Sequence, residues 1–159
     1  MELSPFHAAP PVESRTASAL VTTRYPIWLI RSSWLAVLLW ACTIFYLSSL
    51  SGPDVEKIGI HIWDKAAHFI AFFSGAVALT CALRFSTSWT WLRIGLVGAL
   101  AIAAYGASDE YHQLYTPRRS GGDVLDWIAD ALGGTLGTAS TILIYARFQR
   151  SNRPPPPGN

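Results

Sequence analysis

Four long apolar segments constrain the fold of this 159-residue chain more than any other feature. Each is close to the ~20 residues that an α-helix needs to cross the hydrocarbon core of a bilayer. They cover residues 32–53, 66–83, 89–108 and 124–145. Charged residues make up only 14% of the chain, well below the roughly 25% of a typical soluble protein. The sequence therefore predicts an all-α polytopic membrane protein, built as a bundle of four transmembrane helices.

Two polar tails flank the predicted membrane domain, which covers residues 27–147. Residues 1–26 show no hydrophobic period, and residues 148–159 include four consecutive prolines, so both are predicted to be disordered. The first apolar segment is longer than the apolar region of a signal peptide and lacks an Ala-x-Ala site, so we expect it to be retained. No basic patch with interleaved aromatic residues appears, which argues against a nucleic-acid partner.

The basic residues are distributed unevenly between the two sides of the predicted bundle. Eight of the twelve lie in the N-terminal tail, in the loop between the second and third segments, and in the C-terminal tail. The positive-inside rule then places both termini in the cytoplasm. Eight of the ten carboxylates lie on the opposite side, which we expect to be the external face. They are Asp54, Glu56, Asp64, Asp109, Glu110, Asp123, Asp126 and Asp130.

The start of the second segment carries a polar stripe. His61, Asp64, Lys65 and His68 are spaced so that they share one face of a helix. This spacing favours a polar site in which Asp64 orients a histidine. The alternative is a hydrogen-bonded helix start, because a carboxylate near the positive end of the helix dipole is stabilised there.

The end of the third segment carries a second polar group. Asp109, His112 and Gln113 share a helix face, whereas Glu110 is expected to point elsewhere. Two adjacent carboxylates at a helix C-terminus oppose the dipole unless a cation compensates them. The arginines at 118–119 or a bound metal ion could do so, although no zinc-binding spacing is present.

The fourth segment begins with acids and glycines at helical spacing. Asp126 and Asp130 lie one turn apart, roughly 6 Å along the axis, and point the same way. Asp123 precedes them, and Gly133 and Gly137 form a Gly-x-x-x-Gly pair that lets another helix approach closely. This pattern predicts that the acids face the interior of the bundle, where they need cationic or histidine partners.

Four short sequence motifs resemble, in the same order along the chain, the signatures of the VanZ-like family. They are WDKAAHF at 63–69, SDEYHQ at 108–113, PRRS at 117–120 and DWIADALG at 126–133. The family consists of small bacterial membrane proteins and takes its name from a component associated with teicoplanin resistance. The resemblance covers about residues 30–145.

The resemblance also implies which residues form the polar site. The family's polar signature falls on Asp64, Lys65, His68, Asp109, Glu110, Gln113, Arg119, Asp126, Asp130 and Gly133. One position departs from the family pattern, because Arg118 stands where a glycine is usual. A turn that needs a positive φ is less favourable for arginine, so we expect a change in the shape of this loop.

Two functional hypotheses follow for a protein of the bacterial cell envelope. The first is a non-enzymatic protein whose outward-facing polar pocket binds a lipid head group, a wall precursor or a glycopeptide-related ligand, with a link to antibiotic resistance. The second is a membrane hydrolase or transferase, with or without a metal ion, that uses the His/Asp/Glu cluster on a lipid-linked or cell-wall substrate. The first is preferred because no serine lies in a recognised nucleophile context. The sequence indicates neither a cofactor nor an oligomeric state. Four short helices without an inverted repeat argue against a monomeric transporter, whereas an oligomer could form one.

Overall fold

The computed structural model describes residues 25–58 and 63–151. No strand occurs in these residues, and four of their five helices are long and apolar enough to cross a membrane. The predicted all-α bundle of four transmembrane helices is therefore confirmed. The helices are α1 (Ile27–Ser49), α2 (Gly52–Lys57), α3 (Asp64–Ser86), α4 (Trp91–Gln113) and α5 (Val124–Ser151).

Helix α2 is the main departure from the predicted pattern. The segment expected to continue to residue 53 stops being helical at Ser49, and Leu50 is extended. Pro53 cannot donate the backbone hydrogen bond that a longer α1 would need, whereas it suits the first turn of a new helix. A helix of six residues is too short to show a hydrophobic period, so the sequence pattern does not reveal it.

The start of α1 and the end of α5 also differ from the prediction. Helix α1 begins at Ile27 rather than at residue 32. Helix α5 continues to Ser151, beyond the point at which the C-terminal tail is predicted to begin. The remainder of both predicted tails, and His61, lie outside the described residues.

Helix α3 is the central helix of the bundle and packs most extensively on α5. Gly133 and Gly137 make this packing possible, because an added Cβ would overlap the carbonyl oxygens of Phe69 and Phe73 on α3. Small residues at such positions let two helix backbones approach closely in a membrane. The Gly-x-x-x-Gly pair thus brings the acidic start of α5 next to the polar start of α3.

The long helices expose large apolar side chains on their outer surfaces. Leu38 on α1, Leu100 on α4 and Leu143 on α5 are all more than half exposed, whereas Phe72 and Ile102 are buried in the core. An apolar exterior of this extent is unusual for a soluble monomer and suits contact with lipid. The backbone hydrogen bonds of each span are satisfied within its own helix, as the bilayer interior requires.

The helices alternate in direction, so each end of the bundle collects parts of all four spans. At the end that we call the polar end, the last turns of α1 and α4 meet the first turns of α3 and α5. The opposite end, which we call the Arg84 end, brings Arg84 together with Tyr25, Trp91 and Tyr145.

Candidate functional site

Lys65 links α3 to α5 at the polar end. Its Nζ lies 2.6 Å from Asp126 Oδ1 and 2.7 Å from Asp123 Oδ2, and 3.5 Å from the exposed Asp64. Asp123 also accepts a hydrogen bond of 2.8 Å from the backbone N–H of Leu125, which caps the start of α5. The ammonium of Lys65 and this N–H lower the pKa of Asp123 below its usual range. Asp126 is buried, so Lys65 supplies the countercharge that its carboxylate needs.

His68 and Asp130 form a second pair, one turn further along both helices. His68 Nδ1 lies 3.0 Å from Asp130 Oδ1. Asp130 is fully buried, and its Oδ2 has no hydrogen-bond partner among the described residues. Gly106 on α4 leaves room for this carboxylate, since a Cβ there would come within 2.8 Å of Asp130 Oδ2. Sequence reasoning overlooked Gly106, because its role depends on α5 lying against α4.

A chain of hydrogen bonds connects α1, α4 and the loop that follows α4. Ser48 Oγ donates to Asp109 Oδ1, and Gln113 Nε2 donates to Asp109 Oδ2 over 2.9 Å. Arg119 Nε donates in turn to Gln113 Oε1 over 3.2 Å. Arg119 therefore reaches Asp109 only through Gln113, and the direct pairing of the arginines with the acids of α4 is not observed.

Glu110 faces the polar side chains at the start of α5, contrary to the expectation that it points away from the site. It is buried, and its Oε2 accepts a hydrogen bond of 2.9 Å from the backbone N–H of Asp123. Its Oε1 has no hydrogen-bond partner in the described part of the chain. The loop after α4 folds back so that Gly122 also donates to the Glu110 carbonyl. The start of α5 thereby contacts the face of α4 that carries Glu110. The helical spacing alone did not assign this face to the site.

His112 lies apart from the other predicted site residues. Its Nε2 is 3.0 Å from Ser49 Oγ, and its ring stacks on Phe45 with the centroids 4.8 Å apart. These contacts join α4 to α1 at a partly exposed position. His112 does not line the cavity described next.

A cavity of about 280 Å³ opens at the polar end between α1, α2, α3 and α4. Its lining contains both polar and apolar side chains. The polar ones are Ser48, Asp64, His68, Asp109, Gln113 and Arg119. The apolar ones are Ile44, Leu47, Val55, Ile58, Ala67, Ala71 and Phe72.

Sequence reasoning missed the apolar part of the cavity lining and Ser48. The available signal for Ser48 is the group of serines at 48, 49 and 51, which closes the first apolar segment with hydroxyl groups. No sequence signal places the side chains of α1 and α2 over the acids of α4, because that contact is tertiary.

The cluster carries more acids than cations. Six carboxylates face three groups that can be cationic, and those three groups are Lys65, His68 and Arg119. Among the described residues, two sets of side chains bring ligand atoms within 4.8 Å of one another, which makes them candidates for a metal site. One set is Asp64, His68 and Asp126, and the other is His68, Asp109 and Glu110.

Comparison with known proteins places this architecture in a family. No significant match was found among curated proteins or among solved structures. The model of the VanZ/LLP1 family, in contrast, matches residues 2–145, which include the first three spanning helices, most of α5 and every residue of the polar cluster. The chain therefore belongs to the VanZ/LLP1 family.

Proposed function

We propose that this VanZ-family membrane protein binds an amphipathic molecule at its polar end. The observation that carries the proposal is a cavity whose lining combines apolar side chains with a smaller number of polar ones. Ligand sites are typically apolar clefts with a few polar groups that fix orientation. A head group would contact polar groups such as His68, Asp109 and Arg119, while the apolar part of the same molecule would lie against the apolar side chains of α1, α2 and α3.

Arg119 supports an anionic head group. It is half-buried in the cavity lining, and within the described ranges Nε is the one atom of its guanidinium that donates a hydrogen bond, to Gln113. It forms no ion pair with any residue in the described ranges 25–58 and 63–151. A guanidinium presents five N–H donors, and its geometry suits phosphate oxygens. The proposed ligand is therefore a phosphate-bearing amphiphile, a class that includes phospholipids and lipid-linked wall precursors.

The cavity is proposed to face outward. Eight of the twelve basic residues lie at the Arg84 end or in the adjoining tails, which the positive-inside rule assigns to the cytoplasm. The cavity then opens on the side where the cell wall is assembled. Binding of a lipid-linked wall precursor there would connect the protein with glycopeptide antibiotics, which act on the same material.

The experiment measures binding of a short-chain phospholipid, dioctanoyl phosphatidic acid, to the detergent-purified protein by isothermal titration calorimetry. The neutral comparison is dioctanoylglycerol, which has the same chains without phosphate. We expect saturable binding of the phospholipid and an increase of about tenfold or more in its Kd for Arg119→Gln, because a charge-assisted hydrogen bond contributes ~1.5–3 kcal/mol.

Arg118→Gln is the matched control, since Arg118 is exposed and does not line the cavity. Its Kd should equal that of the wild type. Equal binding of the phospholipid and of dioctanoylglycerol, or equal effects of the two arginine substitutions, would refute the proposal.

A second function is favoured by one specific contact, the bond between His68 Nδ1 and the buried Asp130. An imidazole oriented by a carboxylate is the usual arrangement of a general base, and this one lines the cavity. The protein would then be a membrane hydrolase or transferase acting on the same class of amphiphile. Release of inorganic phosphate from dioctanoyl phosphatidic acid by the wild type, and its loss in His68→Gln with binding retained, would establish this function over binding alone.

A further inference from the structure

Three buried carboxylates at the polar end have too little positive charge near them. Lys65 contacts Asp123 and Asp126 directly, so one cation serves two acids. Asp109, Glu110 and Asp130 are 6%, 5% and 0% exposed, respectively. Among the described residues, Asp109 receives hydrogen bonds only from neutral groups, and Glu110 receives one from a backbone N–H. Asp130 contacts His68, which is the single group that can be cationic beside these three acids. Isolated buried carboxylates are costly, so the sum of these contacts leaves a negative site in need of a cation.

One oxygen atom marks where that cation is needed. Glu110 Oε1 is fully buried and has no hydrogen-bond partner among residues 25–58 and 63–151. The other carboxylate oxygen of Glu110 is already bonded to the N–H of Asp123. Buried polar atoms without partners are rare in folded proteins and call for an explanation such as an ion.

We infer that His68, Asp109 and Glu110 form a binding site for one divalent metal ion, Mn²⁺ or Zn²⁺, at the edge of the cavity. Ligand atoms from the three side chains lie within 4.8 Å of one another. In tetrahedral coordination, metal–ligand bonds of about 2.0–2.2 Å place ligand atoms roughly 3.3–3.6 Å apart. The three side chains would therefore have to approach one another by up to about 1.5 Å to complete the coordination.

Asp130 would act as the outer-shell partner of this site. A metal-binding histidine commonly donates its second ring N–H to a carboxylate, which fixes its tautomer and orientation. His68 has that contact through Nδ1, which leaves Nε2 as the nitrogen with a free lone pair. One imidazole and two carboxylates form a mixed nitrogen and oxygen ligand set, which suits Mn²⁺ and Zn²⁺ better than an ion that prefers thiolates.

The site goes beyond the proposed binding of an amphiphile and does not require it. His68 and Asp109 line the cavity, so a bound cation would face the head group. It would offset the excess of acids and offer a phosphate oxygen a further ligand. This effect of the metal on the affinity for a phosphate-bearing ligand rests on the proposed function, whereas the metal site itself does not.

The test begins with the wild-type chain, purified in a non-ionic detergent and stripped with EDTA. Mn²⁺ is titrated in, and the free ion is followed by electron paramagnetic resonance, with Zn²⁺ added as a competitor. We expect one Mn²⁺ per chain, displacement by Zn²⁺, and a higher melting temperature in the presence of the metal, because a ligand that binds the native state stabilises it. Failure of both metals to bind saturably to the wild type overturns the inference.

Two matched variants locate the ion. Glu110→Gln should weaken Mn²⁺ binding at least tenfold, whereas Glu56→Gln, which makes the same change on the exposed surface of α2, should leave binding unchanged. Asp109→Asn replaces Glu110→Gln if the latter does not fold. Equal affinities in the α4 variant and the Glu56→Gln control would place the ion elsewhere and overturn the assignment.

Repeating the phospholipid titration with EDTA and with Mn²⁺ separates this inference from the proposed function. Phospholipid binding in EDTA, together with no metal binding, refutes the metal site and supports the amphiphile. Metal binding without phospholipid binding supports the metal site and refutes the amphiphile.

Discussion

The two ends of the bundle stabilise buried charge in different ways. At the Arg84 end, the guanidinium lies 4.7 Å from the ring centroid of Trp91, 5.5 Å from that of Tyr145 and 5.8 Å from that of Tyr25. Arg84 is only 7% exposed and forms no ion pair with a described residue. At the polar end, carboxylates depend on ammonium, imidazole, hydroxyl and amide groups instead.

This difference follows from the sign of the charge. The face of an aromatic ring is the negative part of its quadrupole, so it attracts a cation and repels a carboxylate. A guanidinium is also delocalised and weakly hydrated, which lowers the cost of its burial. One arginine can therefore be enclosed by rings, whereas a group of carboxylates needs specific polar partners. Such partners can also bind a ligand, and for this reason the polar end is the better place to look for function.

The largest predicted effect is the loss of Lys65, which would leave the acids of α5 without their countercharge. Lys65→Met should destabilise the protein by about 3–5 kcal/mol, because removing one member of a buried ion pair leaves the other charge uncompensated. The measurement is thermal or denaturant unfolding in detergent. The control is Lys57→Met, which breaks an exposed pair with Asp54 at 2.7 Å and should have a minor effect. Equally mild effects of both changes would show that the network around Lys65 contributes little.

A smaller loss is expected at the other end from Arg84→Met. Its partners are aromatic rings, which remain satisfied when the cation leaves, so no charge is stranded. We expect a loss of about 2 kcal/mol, the value for a desolvated cation–π contact. Measured in the same unfolding assay, a loss as large as that of Lys65→Met would remove the contrast between the two ends.

The fold was largely predictable, since span length and low charge content determine a helical membrane bundle. The approach of α5 to α3 was also open to prediction, because Gly133 and Gly137 recur at one helical face. The short helix α2 was not, since six residues do not establish a period.

The site was predictable in composition but not in detail. Helical spacing identifies which residues of one helix share a face, yet it does not say which face another helix will cover. Glu110 joins the cluster because the loop after α4 returns α5 to that side. His112 does not belong to the cluster because its ring contacts Ser49 and Phe45 on α1. One apolar residue of the cavity lining, Val55, likewise comes from α2, a helix that the sequence pattern does not show.

Backbone strain is a further contrast between the ends. Arg118, in the loop at the polar end, has a φ of 58° and is the one non-glycine residue with a positive φ in the described part of the chain. This is the position at which family resemblance leads one to expect glycine. Left-handed backbone costs an L-residue about 1–2 kcal/mol. Replacing Arg118 by glycine would remove this cost, but the greater freedom of glycine in the unfolded chain would offset part of the gain in stability.

Arg118→Gly should therefore raise the free energy of unfolding by about 0.5–1 kcal/mol, whereas Arg118→Gln, which keeps the strain, should not. Unfolding curves of the two variants in detergent make the comparison. Destabilisation by glycine would mean that the arginine side chain contributes more than its backbone costs.

The smallest effect is a pH dependence confined to the polar end. Contact with Lys65 and with the N–H of Leu125 lowers the pKa of Asp123 below its unfolded value of 3.8. A carboxyl group whose pKa is lower in the folded state contributes stability above its unfolded pKa, and this contribution is lost as the pH falls through the folded value. The difference in stability between wild type and Asp123→Asn should thus be complete at neutral pH and shrink below about pH 4. Arg84→Met should show a constant difference over the same range, because its aromatic partners carry no acid that titrates there. A difference for Asp123→Asn that stays constant down to strongly acidic pH would mean that the ion pair with Lys65 adds no stability, and the contrast between the two ends would then rest on the buried acids alone.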